Sequence, residues 1–87
     1  MDDFSNWMLK MKASLIFDLI KIKEKILYYI NIENLRKGQS LFNAVYAIRP
    51  DIADSLRGTD KDCFYNDEKI NDFMEEVMLN LRKTKGD

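Results

Sequence analysis

Apolar side chains recur every three or four residues along the first third of the chain. They fall at Phe4, Met8, Met11, Leu15, Leu19, Ile22, Ile26 and Tyr29. The steps are four, three, four, four, three, four and three, which is the spacing of one face of an α-helix. A second apolar line runs beside it through Leu9, Ile16, Ile20, Leu27 and Ile30. Together the two lines make a stripe too broad for a single coiled-coil seam. Lys10, Lys12, Lys21, Lys23 and Lys25 sit largely off the stripe, and no Pro or Gly interrupts it. The pattern predicts a helical segment over 4–30, either one long helix or two with a joint near Met11 to Ser14.

A boundary is expected between Ile30 and Asn34. Asn31 can cap a following helix, because its short side chain accepts a bond from an unpaired backbone N–H. That helix is expected over 32–48, with Leu35, Gly38, Leu41, Phe42, Val45 and Ile48 inward. Glu33 and Lys37 then lie four apart in the favourable order. Gly38 is out of place in a helix interior, where it costs about 0.5–1 kcal/mol relative to alanine. Either another helix backbone approaches closely there, or Gly38 breaks the segment in two. Pro50 restarts the chain as a short helix through Arg57, with Ile52 and Leu56 inward. Gly58 is expected as the left-handed residue after its last turn. Residues 59–66 read as a loop, polar at first and aromatic at its end, with Phe64 pinning it to the core. Asn66 or Asp67 can cap a final helix over 67–83, whose apolar line is Ile70, Phe73, Met74, Val77, Met78 and Leu81. No strand pattern competes. The expected fold is all-α: one domain over 1–87, a small bundle of three or four helices with one loop at 59–66.

Length limits what such a bundle can enclose. Eighty-seven residues fit one domain with a thin core. A partner or a second copy of the chain could supply missing burial. With 46% apolar and 33% charged residues, the chain is not of the disordered class. Residues 1–37 carry seven basic and five acidic side chains, and residues 38–87 carry seven and ten. Only the first half is mildly suited to a polyanion. No apolar run is long enough to span a bilayer, and the start Met1-Asp2-Asp3 is acidic where a secretory signal is basic. The single cysteine, Cys63, rules out an intramolecular disulfide. A reducing, cytoplasmic setting is the simplest expectation.

Candidate chemistry is sparse. Histidine is absent, which removes the usual general base near neutral pH. Cys63 has Lys61 nearby to activate it, but Asp60 and Asp62 oppose that, so a half-buried, unreactive thiol is expected. Asp60, Asp62, Asn66, Asp67 and Glu68 gather oxygen ligands, yet lack the glycine and spacing of a calcium loop. Capping and turn formation use the same residue types. No catalytic residue, cofactor or metal site is assigned, and no enzyme activity is expected. Two binding surfaces stand out instead. Phe4, Trp7, Met8 and Met11 form an aromatic and methionine-rich face suited to an adaptable protein contact. Such a face also suits a membrane surface, a homodimer seam or simply the core. Alternatively, Lys21, Lys23, Lys25, Arg36 and Lys37 could form a nucleic-acid-binding patch, if they converge on one face. A helix-turn-helix reading of 32–57 is weakened by Asp51 and Asp54 on its second helix.

One stretch has a familiar pattern. It runs Arg36-Lys37-Gly38-Gln39-Ser40-Leu41-Phe42-Asn43-Ala44-Val45-Tyr46, then Arg49-Pro50-Asp51-Ile52-Ala53-Asp54, then Arg57-Gly58-Thr59-Asp60-Lys61-Asp62-Cys63-Phe64-Tyr65-Asn66-Asp67. It resembles a family of small, mostly uncharacterised bacteriophage and prophage proteins over about residues 36–77. Cys63 departs from the proline usual there, and 1–30 lies outside the resemblance. The resemblance implies a setting rather than an activity: a bacterial host cell, with a host protein as partner for a regulator or inhibitor. Gly38, Gln39, Phe42, Asn43, Arg57, Thr59, Phe64 and Tyr65 are expected to serve the fold first. Arg57 and Asp62 are expected to tie the loop to the helix end by charged hydrogen bonds. The function expected is a non-catalytic protein-interaction module.

Overall fold

A computed structural model describes residues 3–86 of the backbone and the side chains of 15–82. Four α-helices follow in order: α1 (Asp3–Asn31), α2 (Lys37–Ile48), α3 (Pro50–Leu56) and α4 (Ile70–Gly86). A 3₁₀ turn, Asp67–Lys69, leads into α4. There is no strand among the described residues. The all-α bundle expected from the periodicity is the fold observed.

The first segment is one unbroken helix of 29 residues. With no Pro or Gly before Gly38, nothing in it interrupts the ladder of backbone hydrogen bonds. Its inner line supplies Ile22 to the buried core, with Leu15, Leu19, Ile26 and Tyr29 packed against it. Helix α1 is therefore a wall of the same core as the later helices. The rest of that core is Leu41, Phe42, Ala44 and Val45 from α2, Ile52, Ala53 and Leu56 from α3, Cys63 from the loop, and Phe73, Val77 and Leu81 from α4. Phe42 sits at its centre, its ring 5.6 Å from those of both Phe64 and Phe73.

The second helix starts later than expected. Asn31 ends α1 rather than capping α2, and Asn34 adopts a left-handed conformation with φ 56°. Asparagine tolerates that conformation better than most residues. Leu35 N–H returns to Tyr29 O at 3.1 Å, so residues 32–36 are a turn, and Glu33 and Lys37 are not on one helix. Arg36 stands at the cap position of α2 but makes no side-chain cap bond. The cap comes instead from the far side of the sequence. Asp67 Oδ1 accepts the Gly38 N–H at 3.0 Å and a hydrogen from Arg36 at 3.1 Å. A carboxylate at a helix N-terminus also complements the helix dipole. Asp67 serves two helices this way, since it also opens the turn into α4.

Gly38 makes this approach possible. It is buried in the first turn of α2, and an added Cβ there would collide with Cys63 O and Asp67 Oδ1. Close approach was expected from another helix; loop backbone is what arrives. Arg36 donates a further bond to Phe64 O at 2.7 Å, and the buried Cys63 thiol donates to Gly38 O at 3.2 Å.

The remaining turns follow the sequence pattern. Pro50 lies in the first turn of α3 and Gly58 has φ 75°. Asn66 Oδ1 caps the 3₁₀ turn through Glu68 N–H at 2.9 Å. At the corner between α2 and α3, Arg49 grips Asp51 through Nε and one terminal nitrogen, at 3.1 and 2.9 Å. Its other terminal nitrogen lies 3.7 Å from Asp18 of α1. The hydrogen bond from Arg49 holds the Asp51 carboxyl below its usual range.

Gly38→Ala tests the approach, because two effects compete. Helix propensity favours alanine by about 0.5–1 kcal/mol. Collision with fixed backbone costs about 1–3 kcal/mol, and it wins because a carbonyl cannot rotate away as a side-chain tip can. Denaturant unfolding should show net destabilisation by Gly38→Ala. A gain in stability would mean that the loop does not lie against α2.

Candidate functional site

The described part of α1 carries two seams side by side. Leu15, Leu19, Ile22, Ile26 and Tyr29 form the inner one, in steps of four, three, four and three. Ile16, Ile20, Lys23, Leu27 and Ile30 form the outer one, in the same steps. Helices α2 and α4 cover the inner seam. The outer seam faces outward, with Ile16 54%, Ile20 49% and Leu27 50% exposed. Phe17, 64% exposed, flanks it on the side away from the core. Scattered exposed apolar residues are ordinary on a protein surface, whereas a contiguous row rimmed by charge marks a contact site. At the α4 side the row runs into a shallow apolar hollow of about 360 Å³, lined by Ile26, Ile30, Lys37, Leu41, Ile70 and Met74.

Of the residues proposed from sequence for protein contact, Phe4, Trp7, Met8 and Met11 lie on α1. Their side chains fall outside the described residues. The second apolar line noted in the sequence, through Ile16, Ile20 and Leu27, is the one whose exposure the structure describes.

The five basic residues do not share a face. Lys21 and Lys25, one turn apart, border a hollow with Glu24, Tyr28 and Ile48. Their ammonium groups lie 5.8 Å from the Phe17 ring centre and 5.9 Å from that of Tyr28. Lys23 falls on the outer seam, nearly opposite Lys25 by the 100° turn per residue. Arg36 is engaged with Asp67 and Phe64 O. Lys37 stands beside the apolar hollow.

The acidic loop spends its oxygens on the backbone. Asp62 accepts from Gly58 N–H at 2.7 Å and Phe64 N–H at 2.8 Å. Thr59 donates to Leu56 O at 2.7 Å. Among the described residues, no group of three or more His, Cys, Asp or Glu is placed to hold a metal ion. Asp62 ties the loop as expected. Arg57 does something else: it bonds Asp54 at 3.1 Å and stacks 5.0 Å from the Phe42 ring centre and 5.5 Å from that of Tyr46. Arg57 and Phe42 also line a hollow of about 290 Å³ with Gly58, Asp62, Phe64 and Tyr65. Tyr65, 84% exposed, is the one aromatic here that the core does not claim.

Cys63 is fully buried rather than half-buried. Burial, helped by the negative charge of Asp62, pushes its thiol up from 9.0 to about 12. Burial and the raised pKa both disfavour the nucleophilic thiolate. A comparison with known proteins finds no matching family model, no matching curated protein and no matching solved structure. No described helix is long and apolar enough to cross a membrane.

Two measurements follow from Cys63. Alkylation at pH 8 should be slower by on the order of 100-fold in the folded chain than in denaturant. Stability should also fall as pH rises from about 9 towards about 12, because the unfolded thiol loses its proton first. Cys63→Ser or Cys63→Ala should flatten that part of the curve. Rapid labelling of the native chain would contradict both.

Proposed function

We propose that this chain is a non-catalytic protein-interaction module, and that it docks through the outer face of α1. The exposed row of Ile16, Ile20 and Leu27 carries this reading. A long helix anchored along one seam presents the second as a rigid ridge, so little ordering entropy is lost when a partner covers it. The resemblance over 36–77 points to a setting in a bacterial cytoplasm, where the partner is a host protein and the module its regulator or inhibitor. A nucleic-acid role would draw on Lys21, Lys23, Lys25, Arg36 and Lys37, and their dispersal gives a phosphate backbone no continuous track.

The test is photo-crosslinking in bacterial lysate followed by mass spectrometry, with the native chain and Ile20→Asp side by side. Placing a charge in the row should lower crosslinked product at least about tenfold, a loss of about 1.4 kcal/mol. Equal yield from the two chains would remove α1 as the docking face. On heparin the chain should pass through at about 0.15 M salt. Retention there, reversed by more salt, would favour the nucleic-acid role instead.

A further inference from the structure

We infer that the host protein covering the outer face of α1 presents an acidic segment to it, with aliphatic side chains flanked by Asp or Glu. The inference rests on α1 being the docking face and names the chemistry of what docks there. It follows from where the charges of that face lie and which of them have no partner.

The face is apolar along its middle and basic at its edges. At 100° per residue, Ile16, Leu27 and Ile20 fall within about 40° of one another around the helix. Exposed Lys23 borders them on the side towards α4. Lys21 and Lys25 border the other side, beyond Phe17 and Tyr28. Where the row reaches α4, Lys37 is the one charged residue lining the apolar hollow.

These ammonium groups are not used inside the molecule. The ion pairs among the described residues join Arg36 to Asp67, Arg49 to Asp18 and Asp51, and Arg57 to Asp54. All are made by arginine, and none by a lysine. Nor does α1 supply the balance. Asp18 lies against Arg49, which leaves Glu24 as the one exposed carboxylate in the described part of α1. A partner that covers the row therefore desolvates the lysine edges, and that is costly unless carboxylates face them. Lysine suits such an edge, because its stem lies over apolar surface while its charge reaches outward.

Glu24 weighs against a lipid bilayer as the occupant. It falls between Ile20 and Phe17 around the helix, near the middle of the outward arc. An anionic membrane surface would meet that carboxylate head on. A protein segment can place an amide or a gap there while keeping its acids at the flanks.

A benzophenone side chain in place of Asn31, exposed at the end of α1, should capture the partner in lysate. Mass spectrometry then reads the segment joined to it. That segment should hold more Asp and Glu than Lys and Arg, around Leu, Ile or Met. Combining Lys23→Glu with Lys37→Glu should lower capture about tenfold at about 0.15 M salt, whereas Lys23→Arg with Lys37→Arg should preserve it. Unchanged circular dichroism would show that the reversed chain still folds. Capture that falls on Ile20→Asp yet ignores the lysine reversal, or a joined segment that is neutral or basic, would overturn the acidic partner and leave docking through α1 standing. Cosedimentation of the native chain with phosphatidylglycerol vesicles, abolished by the lysine reversal, would overturn it in favour of a bilayer. Capture indifferent to both Ile20→Asp and the lysine reversal would overturn the docking face and this inference together.

Discussion

Asp67 and Gly38 meet at the point on which the helix arrangement depends. Helix α2 lacks a local cap, because Arg36 offers no acceptor to its first N–H groups. The Asp67 carboxylate fills that role from 29 residues away. A capping bond of this kind contributes about 0.5–2 kcal/mol, several times what the half-exposed ion pair to Arg36 adds. Its geometry matters more than its energy. Drawing Asp67 onto α2 brings Cys63 O against Gly38, buries the thiol, sets the Phe64 ring on Phe42 and fixes where α4 begins. Only a residue without a Cβ allows that approach, so the helix accepts a poor helix former in its first turn.

The same constraint bears on function. Three of the five residues that look like ligands in the sequence, Asp62, Asn66 and Asp67, are committed to holding the loop. Asp62, Asp67, Asn66 and Thr59 all bond nearby or facing backbone. The lone thiol is shut inside the core. Among the described residues, the outer row of α1 is an exposed apolar stretch, interrupted by Lys23. A chain of this size has few helices with which to cover a 29-residue helix on every side. Helices α2 and α4 take the inner seam, and the outer one stays exposed at Ile16, Ile20 and Leu27.

Much of the fold was legible in the sequence. The inner line of α1, the Pro50 start, the Gly58 turn and the apolar line of α4 are local patterns, set by period, ring geometry and the freedom of glycine. The start of α2 was not. Asn31 and Asn34 both suit helix ends, and choosing between them needs knowledge of where Leu35 N–H bonds. The later start also dissolved the Glu33–Lys37 pair. Arg57 was read as a tie to the loop because its charge suggested one, whereas its planar guanidinium found two aromatic faces. The basic residues 21, 23 and 25 are close in sequence but alternate around the helix, so proximity along the chain misled about proximity in space.

By itself, then, the order of residues determined that the chain is helical, where most helices run, and that α1 carries two apolar lines. These follow from rules acting within a few residues. Which of the two lines would be buried, and that Gly38 would be held by a loop rather than a helix, only the tertiary structure decided. The first depends on α2 and α4 packing onto α1 and the second on bonds 25 and 29 residues apart in sequence, where packing of whole elements, and not local periodicity, selects the outcome.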